Sequence, residues 1–208
     1  MNILVFGATG RVGQSVLEYA LANNHTVTAF VRNRAKLQIS NEHLTIIEGD
    51  IYSPDALFGA MQTGFDAIIN VIGGDVFKPS TIVTDSAKVI VEAMQKAGLT
   101  RYLGITGIAE MPANLFGKIT ARLIRISPIR FAVQDHDGAW KIVSGSNLNW
   151  TLAGCPYIRD GQHTTNYKVA PECFPGGFKT ISPQDVADFL VKEATAQHYS
   201  KQVVGIWN

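Results

Sequence analysis

The stretch Asn2-Ile-Leu-Val-Phe-Gly-Ala-Thr-Gly-Arg-Val-Gly-Gln-Ser-Val16 decides the fold of this chain. Residues 3–6 are an apolar run long enough for a strand that is buried on both faces. Three glycines follow at once, and apolar side chains then recur at helical spacing. Strand, glycine turn and helix in this order predict a binding site for the pyrophosphate of a dinucleotide.

Each glycine of this turn has a predicted task. Gly7 lets the chain turn sharply out of the strand, Gly10 removes a side chain that would block the phosphates, and Gly13 lets the helix pack against the strand. The start of the helix offers unpaired N–H groups and the positive end of its dipole to an anion. The alternative is an ordinary tight turn, which the context at the start of an α/β pattern disfavours. The residues predicted to contact the nucleotide here are Gly7, Thr9, Gly10, Arg11, Val12 and Gly13.

The composition fits one domain over residues 1–208. Hydrophobic residues make up 46% of the chain and the net charge is +1, which gives no reason to expect nucleic acid or a membrane surface as a partner. We see neither a signal peptide nor an apolar run of about 20 residues. Cys155 and Cys173 match no metal-ligand spacing, so we expect no metal site and a reducing cytoplasmic location. Composition does not distinguish a monomer from a homodimer.

Strands alternate with helices along most of the chain, which predicts a doubly wound parallel sheet with helices on both faces. Ser53-Pro54 and Ser182-Pro183 carry the capping serine and first-turn proline with which helices begin. Further helices are predicted over residues 80–97 and 131–144. Strands are predicted over residues 26–31, 44–48, 66–72, 101–106, 149–153 and 202–207.

Two less regular segments are predicted to form the substrate side, because ligands of such sheets bind beyond the carboxyl ends of the strands. Residues 111–130 are apolar and basic, and we expect a short helix there, near the cofactor cleft. An amphipathic membrane-binding helix is the alternative, but few helical turns fit between Pro112 and Pro128. Residues 156–180 are rich in glycine, proline and aromatic residues and are expected to be irregular.

The residues after the second predicted strand favour NADP(H) over NAD(H). An NAD site usually places an acidic residue about 20 positions beyond the glycines, where it binds the ribose 2′-OH. Here the chain reads Val31-Arg32-Asn33-Arg34, with two guanidinium groups and no acid. Arginine can bind a 2′-phosphate through two parallel hydrogen bonds, and Arg11 can add a third positive charge. The alternative is that Arg32 and Arg34 are solvated loop residues.

The spacing Gly7-Ala-Thr-Gly-Arg-Val-Gly13 resembles that of extended and atypical short-chain dehydrogenase/reductases. Residues 141–156 and 181–187 resemble segments of the NmrA-like and NAD(P)H-binding groups among them, in which a helix leads to Trp-Thr and a following proline, here Pro156. The resemblance covers nearly the whole chain and implies an NAD(P)-binding Rossmann fold with Pro156 beside the cofactor. An arginine usually precedes this proline; Cys155 stands there instead, so the role of that arginine does not transfer.

Resembling proteins place an acidic residue beside the adenine, and Asp50 matches it. A carboxylate there accepts a hydrogen bond from the adenine amino group, and the following Ile51 can cover the ring. The alternative is an aspartate that only shapes a turn. Val71-Ile72-Gly73, at the end of the fourth predicted strand, is compact and apolar, and would let the adenosine and its ribose lie against the edge of the sheet.

The proton donor usual in this family is missing. Typical short-chain dehydrogenase/reductases use a Tyr-x-x-x-Lys pair with a Ser or Thr, but none of the six tyrosines here has a lysine four positions on. Lys141 matches the lysine, and Asp137 then takes the place of the tyrosine. Thr106 matches the Ser or Thr, with Gly107 as the alternative register. His136 is a candidate acid, although its neighbouring position on the helix points elsewhere. We predict Thr106, Lys141 and His136 as catalytic residues, and Thr106 and Lys141 also as cofactor contacts.

The resemblance implies either a reductase or a regulator, since the group includes flavin, biliverdin and quinone reductases and nucleotide-sensing proteins without turnover. Hydride transfer from NADPH to an electron-poor flavin, quinone or similar planar acceptor needs little acid catalysis, which fits a site without the tyrosine. The alternative is an NADP(H)-binding redox sensor that acts through a protein partner. The missing pair disfavours an epimerase or dehydratase of nucleotide sugars. Candidate walls of the acceptor pocket, each alternatively a core side chain, are Phe77, Phe116, Trp140, Tyr157 and Phe178.

Overall fold

The computed structural model describes residues 1–107, 111, 113–161, 163–171 and 174–208. Within the predicted substrate-side segments, Pro112, Cys173 and residues 162 and 172 lie outside the described residues. The helices of the described part are α1 (Arg11–Ala22), α2 (Pro54–Met61), α3 (Ile82–Ala97), α4 (Leu115–Arg125), α5 (Arg130–Ser144) and α6 (Pro183–Ala196). Its strands are β1 (Asn2–Phe6), β2 (Thr26–Val31), β3 (Leu44–Glu48), β4 (Ala67–Asn70), β5 (Arg101–Gly107), β6 (Asn149–Cys155), β7 (Tyr157–Ile158), β8 (Lys168–Ala170), β9 (Thr180–Ile181) and β10 (Gln202–Trp207).

The main sheet has the strand order β3-β2-β1-β4-β5-β6-β10-β8. Its first seven strands are parallel, and β1 lies between β2 and β4. The strand order therefore reverses next to β1, and ligands of such sheets bind in the crevice at that point. The predicted fold class, an α/β Rossmann fold with a doubly wound sheet, is confirmed.

The segment 156–180 contributes to three short strands that its composition does not predict. It contributes β8, which runs antiparallel to β10, and the short parallel pair of β7 and β9. Apart from these short strands, the described residues of the segment are irregular, as expected; the strands could not be predicted because partner strands such as β10 lie far along the chain. A window of local sequence contains no information about them.

Helices cover both faces of the sheet, as the alternating pattern predicts. The side chains of Ile3 and Val5 pack with α1 and α6 on one face, whereas Leu4 and Phe6 pack with α2, α3 and α5 on the other. The side chains of a strand alternate between its two faces. Because helices cover both faces of the sheet, all four side chains are fully buried. The first strand therefore contributes side chains to both apolar layers.

The predicted helix starts at residues 53 and 182 are confirmed. The Oγ of Ser182 accepts a hydrogen bond from the N–H of Asp185 at 3.0 Å, and Ser53 caps α2 in the same way. The third helix begins at Ile82, two residues later than predicted, because the chain first forms a turn in which the Oγ of Ser80 accepts the N–H of Ile82 at 3.1 Å.

Two buried aspartates of α6 hold the segment 156–180 against the sheet. Asp185 accepts hydrogen bonds from the backbone N–H groups of Thr164 and Thr165, both at 3.0 Å. Asp188 accepts one from the hydroxyl of Tyr167 at 2.6 Å. Burial alone would raise the pKa of Asp185, but the hydrogen bonds that it accepts outweigh burial and lower the pKa. The carboxylate therefore stays charged and keeps its loop in place.

Within the described part of the chain, the helices are all too short or too polar to cross a membrane. The same residues include no group of three or more His, Cys, Asp or Glu side chains placed to hold a metal ion. Cys155 is fully buried, which raises the pKa of its thiol far above the ordinary value.

Candidate dinucleotide and acceptor site

The glycine turn between β1 and α1 is packed against backbone on both sides. Gly7 has a φ of +79°, in the left-handed region that favours glycine, and a Cβ there would lie 2.7 Å from the backbone nitrogen of Ile72. A Cβ on Gly13 would lie 2.1 Å from the carbonyl oxygen of Gly7. The turn in this form therefore requires glycine at both positions.

Gly10 leaves the start of α1 open. It is the N-cap of the helix, and the first helical hydrogen bond runs from the N–H of Gln14 to the carbonyl of Gly10, 2.9 Å. The N–H groups of residues 11–13 lie before that bond, and the first turn contains no acidic side chain. Thr9 and Val12 are half-buried beside the turn. The helix end thus has donors and a positive dipole available for a phosphate.

Arg11 points away from the second strand. Its guanidinium makes an ion pair with Asp160 at 2.9 Å and donates to the carbonyl of Ile158 at 3.5 Å. The paired side chains are 62% and 84% exposed. Arg11 therefore links α1 to the segment after β7, and does not stand beside Arg32 as a third cation.

Arg32 and Arg34 lie exposed beyond β2, as predicted from the sequence. A carboxylate that the sequence did not reveal lies beside them: Oε2 of Glu48 accepts the backbone N–H of Arg34 at 3.0 Å. Glu48 reaches this point because it ends β3 and pairs in register with Val31 of β2. The edge where a ribose would lie thus has two guanidinium groups and one carboxylate.

The turn after β3 exposes Asp50 and buries Ile51, two residues that were both predicted to contact the adenine. Asp50 is exposed, and its Oδ1 accepts the N–H of Tyr52 at 3.0 Å, so the carboxylate shapes a turn with one oxygen. Ile51 is only 6% exposed and packs in the core, which corrects the expectation that its side chain covers an adenine. Tyr52 is 48% exposed instead. Burial and Asp85 raise the pKa of Tyr52, whereas Arg32 opposes them.

The carboxyl end of β4 packs directly against the glycine turn. The N–H of Val71 donates to the carbonyl of Phe6 at 3.0 Å, and the Oδ1 of Asn70 accepts the N–H of Ile72 at 3.1 Å. This side-chain bond turns the chain, so β4 ends at residue 70 and not at 72 as predicted. Gly73 follows and is exposed. The predicted stretch 71–73 therefore lies at the crevice.

A cavity of about 10 Å³ lies under the carboxyl ends of β4 and β5. Its polar lining consists of Asn70, Tyr102, Thr106 and His136. Thr106 is 2% exposed, and among the described residues its buried Oγ1 has no hydrogen-bond partner. The buried Nδ1 of His136 has none there either. A cavity of this size has room for about one water.

The position of His136 is fixed by its neighbour on α5. The carboxylate of Asp135 accepts the N–H groups of Val83 at 3.1 Å and Thr84 at 2.8 Å, so it ties α5 to the first turn of α3. Burial lowers the pKa of His136, and this outweighs the Asp135 carboxylate and a hydrogen bond with the backbone of Ile105, both of which raise the pKa. The imidazole is therefore held neutral near pH 7 and oriented into the cavity.

Tyr102 is a cavity residue that sequence reasoning missed. Its hydroxyl accepts a hydrogen bond from the Nδ2 of Asn70 at 3.1 Å, and burial raises its pKa to about 12. The phenol therefore stays protonated at all ordinary pH values. The sequence could have revealed it, because Tyr102 stands four positions before Thr106 in the same strand, and strand side chains at even spacing lie on one face.

Two side chains of α5 lie outside the cavity. Lys141 is exposed, and at about 3.6 residues per turn it lies roughly 100° around the helix from Trp140, which does line the cavity. Asp137 accepts a hydrogen bond from Arg125 of α4. The phase of the helix brings the imidazole of His136 to the end of β5, while the role of the exposed Lys141 as a catalytic and cofactor-binding residue stays a prediction.

The sequence of this fold matches a family profile that is described as NAD(P)H-binding, over residues 7–197. The matched range includes the glycine turn, both arginines beyond β2, Thr106 and His136. This chain belongs to the NAD(P)H-binding family. The nucleotide predicted from the glycine turn is therefore confirmed at the level of NAD(P)H.

Several proteins are similar to this NAD(P)H-binding protein. Photosystem II assembly factor Ycf39 of Synechocystis sp. is 32% identical over 92% of the chain, and the chain spans 58% of the length of that factor. A crystal structure of a candidate NADH-flavin reductase from Streptococcus pneumoniae is 25% identical, with a TM-score of 0.78 and coverage of 100% and 99% of the two chains. A wide-type short-chain dehydrogenase/reductase from Veillonella parvula in complex with NADP is 18% identical, with a TM-score of 0.76 and coverage of 100% and 94%.

Most of the candidate aromatic walls of this NAD(P)H-binding protein are exposed. Trp140 lines the small cavity and is half-buried. Pro156 follows β6 and is also half-buried. The alternative of simple core packing therefore fails for the other four aromatics, whose exposed fractions are 66% for Phe77, 59% for Phe116, 66% for Tyr157 and 107% for Phe178.

Proposed function

We propose that this protein is an NADPH-dependent reductase that passes hydride to a flavin, a quinone or a similar planar acceptor. One observation carries the proposal: an intact glycine turn at the end of β1 and the unpaired polar atoms of Thr106 and His136 at the end of β5 lie on the same edge of the sheet. A dinucleotide along this edge can place its phosphates on α1 and its reacting end towards Thr106.

The residues of the crevice fit a dinucleotide. Side chains at Gly7 and Gly13 would strike backbone, and Gly10 leaves the N–H groups of α1 open to an anion. Arg32 and Arg34 are the cations that would hold a 2′-phosphate. Arg11, which pairs with Asp160 on the other side of the glycine turn, is not counted among these cations.

We expect the change Arg32→Glu to reverse the preference for NADPH over NADH. A carboxylate at this position repels the 2′-phosphate and accepts from the 2′-OH, whereas the guanidinium binds the phosphate with charge-assisted hydrogen bonds. One lost bond of this kind corresponds to roughly tenfold or more in affinity. Titration of both nucleotides by fluorescence measures the ratio. Lys36→Glu, a nearby exposed lysine, is the matched control, and an unchanged ratio in the Arg32 variant would contradict the assignment.

NADPH supplies a hydride when it is bound, and the reduced acceptor then needs a proton. His136 is suited to deliver it, since the ring is oriented by its bond with the backbone of Ile105 and its Nδ1 faces the cavity of Thr106. A water in that cavity would connect the hydroxyl to the imidazole. Because burial lowers the pKa of His136, the protonated ring becomes populated only below its ordinary pKa of about 6.5.

The acceptor side is proposed from the exposed aromatic side chains. Phe116 and Phe178 belong to the segments 111–130 and 156–180, which the structure brings together where Ala113 pairs with Phe174. Flat aromatic walls favour a flat acceptor, because rings stack in offset or edge-to-face arrangements. The similarity to a candidate NADH-flavin reductase supports the same class of acceptor.

The test is oxidation of NADPH by purified protein with FMN, riboflavin and soluble quinones, followed by absorbance of the reduced nicotinamide. We expect turnover that rises as the pH falls below about 6.5. His136→Gln should lose this pH dependence and reduce kcat by roughly 100-fold with unchanged NADPH binding. His43→Gln, an exposed histidine far from the cavity, is the control. Equal pH profiles for wild type and His136→Gln would contradict the role of the imidazole.

A non-catalytic NADP(H)-binding regulator is the second candidate. The observation that favours it is the 32% identity to a photosystem II assembly factor, over 92% of this chain. In that case the nucleotide would report redox state to a protein partner. Tight NADPH binding without oxidation by any acceptor of the panel would support this function and contradict the first.

A further inference from the structure

One face of α4 exposes a row of apolar side chains. Leu115, Ile119 and Leu123 are spaced by four residues and are 76%, 49% and 59% exposed. Phe116 and Ile126 border them and are 59% and 74% exposed. A contiguous patch of this kind marks an interaction site, whereas single exposed apolar residues are ordinary.

This face is not the one by which α4 packs on the protein. Gly117 and Ile124 lie on the opposite side of the helix: Gly117 is buried, with a Cβ position 2.7 Å from the carbonyl of Phe174, and Ile124 packs against the core. The helix therefore has two apolar faces. One holds it on the domain, and the other faces solvent.

A neighbouring turn extends the exposed face. Gly176 and Gly177 both have positive φ, +86° and +83°, and the N–H of Gly177 donates to the hydroxyl of Thr120 on α4 at 3.4 Å. The turn presents Phe178 with an exposed fraction of 107%, followed by Lys179. We call this turn and the exposed residues of α4 the α4 surface.

The charged side chains of α4 itself are all basic. Residues 111–134 contain four basic side chains and no acidic one. Lys118 and Arg122 are exposed beside the apolar row, and neither makes an ion pair within the described part of the chain. A second copy of the chain on a two-fold axis would bring these like charges together, which disfavours self-association here.

We propose that the α4 surface binds a bilayer that contains anionic lipids. An amphipathic helix with aliphatic and aromatic side chains on one face and Lys or Arg beside them lies in the plane of such an interface, with its apolar face among the acyl chains. The basic side chains then reach the lipid phosphates. The eleven residues of α4 suffice because the rest of the domain already holds the helix in place. Phe116 and Phe178 are shared with the proposed acceptor walls, whereas Leu115, Ile119 and Leu123 are not; the inference therefore rests on this aliphatic row, and its test does not depend on the proposed reaction.

Flotation with vesicles tests the proposal. The full chain is mixed at low salt with vesicles of phosphatidylcholine alone, or of phosphatidylcholine with phosphatidylglycerol. We expect roughly tenfold more protein to float with the anionic vesicles, and this excess to be lost at high salt. Failure to bind anionic vesicles at low salt would overturn the proposal and leave an acidic protein as the occupant.

Variants separate the apolar and the charged contributions. Leu115→Ser/Ile119→Ser/Leu123→Ser and Lys118→Glu/Arg122→Glu should each reduce binding roughly tenfold. All five side chains are exposed, so the unfolding midpoint should change little. Lys88→Glu/Lys201→Glu makes the same charge change elsewhere on the surface and should bind like the wild type. The proposal is overturned if both α4 variants float like the wild type, or if the apolar variant only converts a dimer to a monomer in light scattering.

Discussion

Replacement of Gly13 by alanine is expected to abolish tight NADPH binding and to destabilise the protein. The new Cβ would lie 2.1 Å from the carbonyl oxygen of Gly7 and 2.7 Å from the Cα of Ala8, both of them backbone atoms that no rotamer change can move. The helix must then shift away from the strand. Overpacking of this kind costs about 1–3 kcal/mol of unfolding free energy.

The same shift displaces the N–H groups of α1 from the phosphates. We expect NADPH affinity to fall by tenfold or more, since each factor of ten corresponds to about 1.4 kcal/mol. Calorimetric titration and urea unfolding measure the two effects. Gly59→Ala is the matched control, because nothing lies within 4 Å of its Cβ position in α2. It should bind NADPH normally and gain up to about 1 kcal/mol in stability. Unchanged NADPH binding by the Gly13 variant would show that the turn does not hold the phosphates.

The second large effect is expected from Arg101→Met, far from the nucleotide. The guanidinium is 3% exposed and donates to the carbonyl and the Oε1 of Glu193, at 2.9 and 3.0 Å, and to the Oγ1 of Thr151 at 2.9 Å. Burial lowers the pKa of Arg101, while Glu193 opposes this. Removing the arginine leaves a buried carboxylate without its cation, which costs about 3–5 kcal/mol. Urea unfolding measures the loss.

Two further variants separate the buried charge from general disruption. Arg101→Met/Glu193→Gln removes the unpaired charge and keeps an oxygen to accept the N–H of Tyr199, so it should be more stable than the single variant. Arg11→Met breaks the exposed pair with Asp160 and should cost less than about 1 kcal/mol. Similar losses for Arg11→Met and Arg101→Met would contradict the importance of burial.

Much of the fold could be predicted from local patterns. The apolar run of β1, the serine caps of α2 and α6, and the strand–helix alternation all follow from sterics and periodicity within a few residues. The errors occur where distant segments meet and where a side chain bonds to the backbone that follows it. Strand β8 exists because its backbone pairs with β10, and β4 ends early because the side chain of Asn70 binds the backbone of Ile72.

In the candidate site too, some features follow from local sequence and others only from the folded chain. Gly7, Gly10 and Gly13 could be assigned from the sequence, because their spacing between a strand and a helix admits few geometries. The partners of charged side chains could not. Arg11 pairs with Asp160, and Glu48 reaches the backbone of Arg34, through contacts that only the folded chain creates.

The sequence by itself determined an NAD(P)H-binding Rossmann domain, since the glycine turn and the strand–helix alternation depend on residue type and short-range spacing. Only the tertiary structure decided which side of α5 faces the end of β5. The bond of Asp135 to the first turn of α3 sets the rotation of that helix, and the rotation directs His136 to Thr106 and Lys141 to solvent. A helical pattern alone leaves this phase open, because packing against elements distant in sequence fixes it.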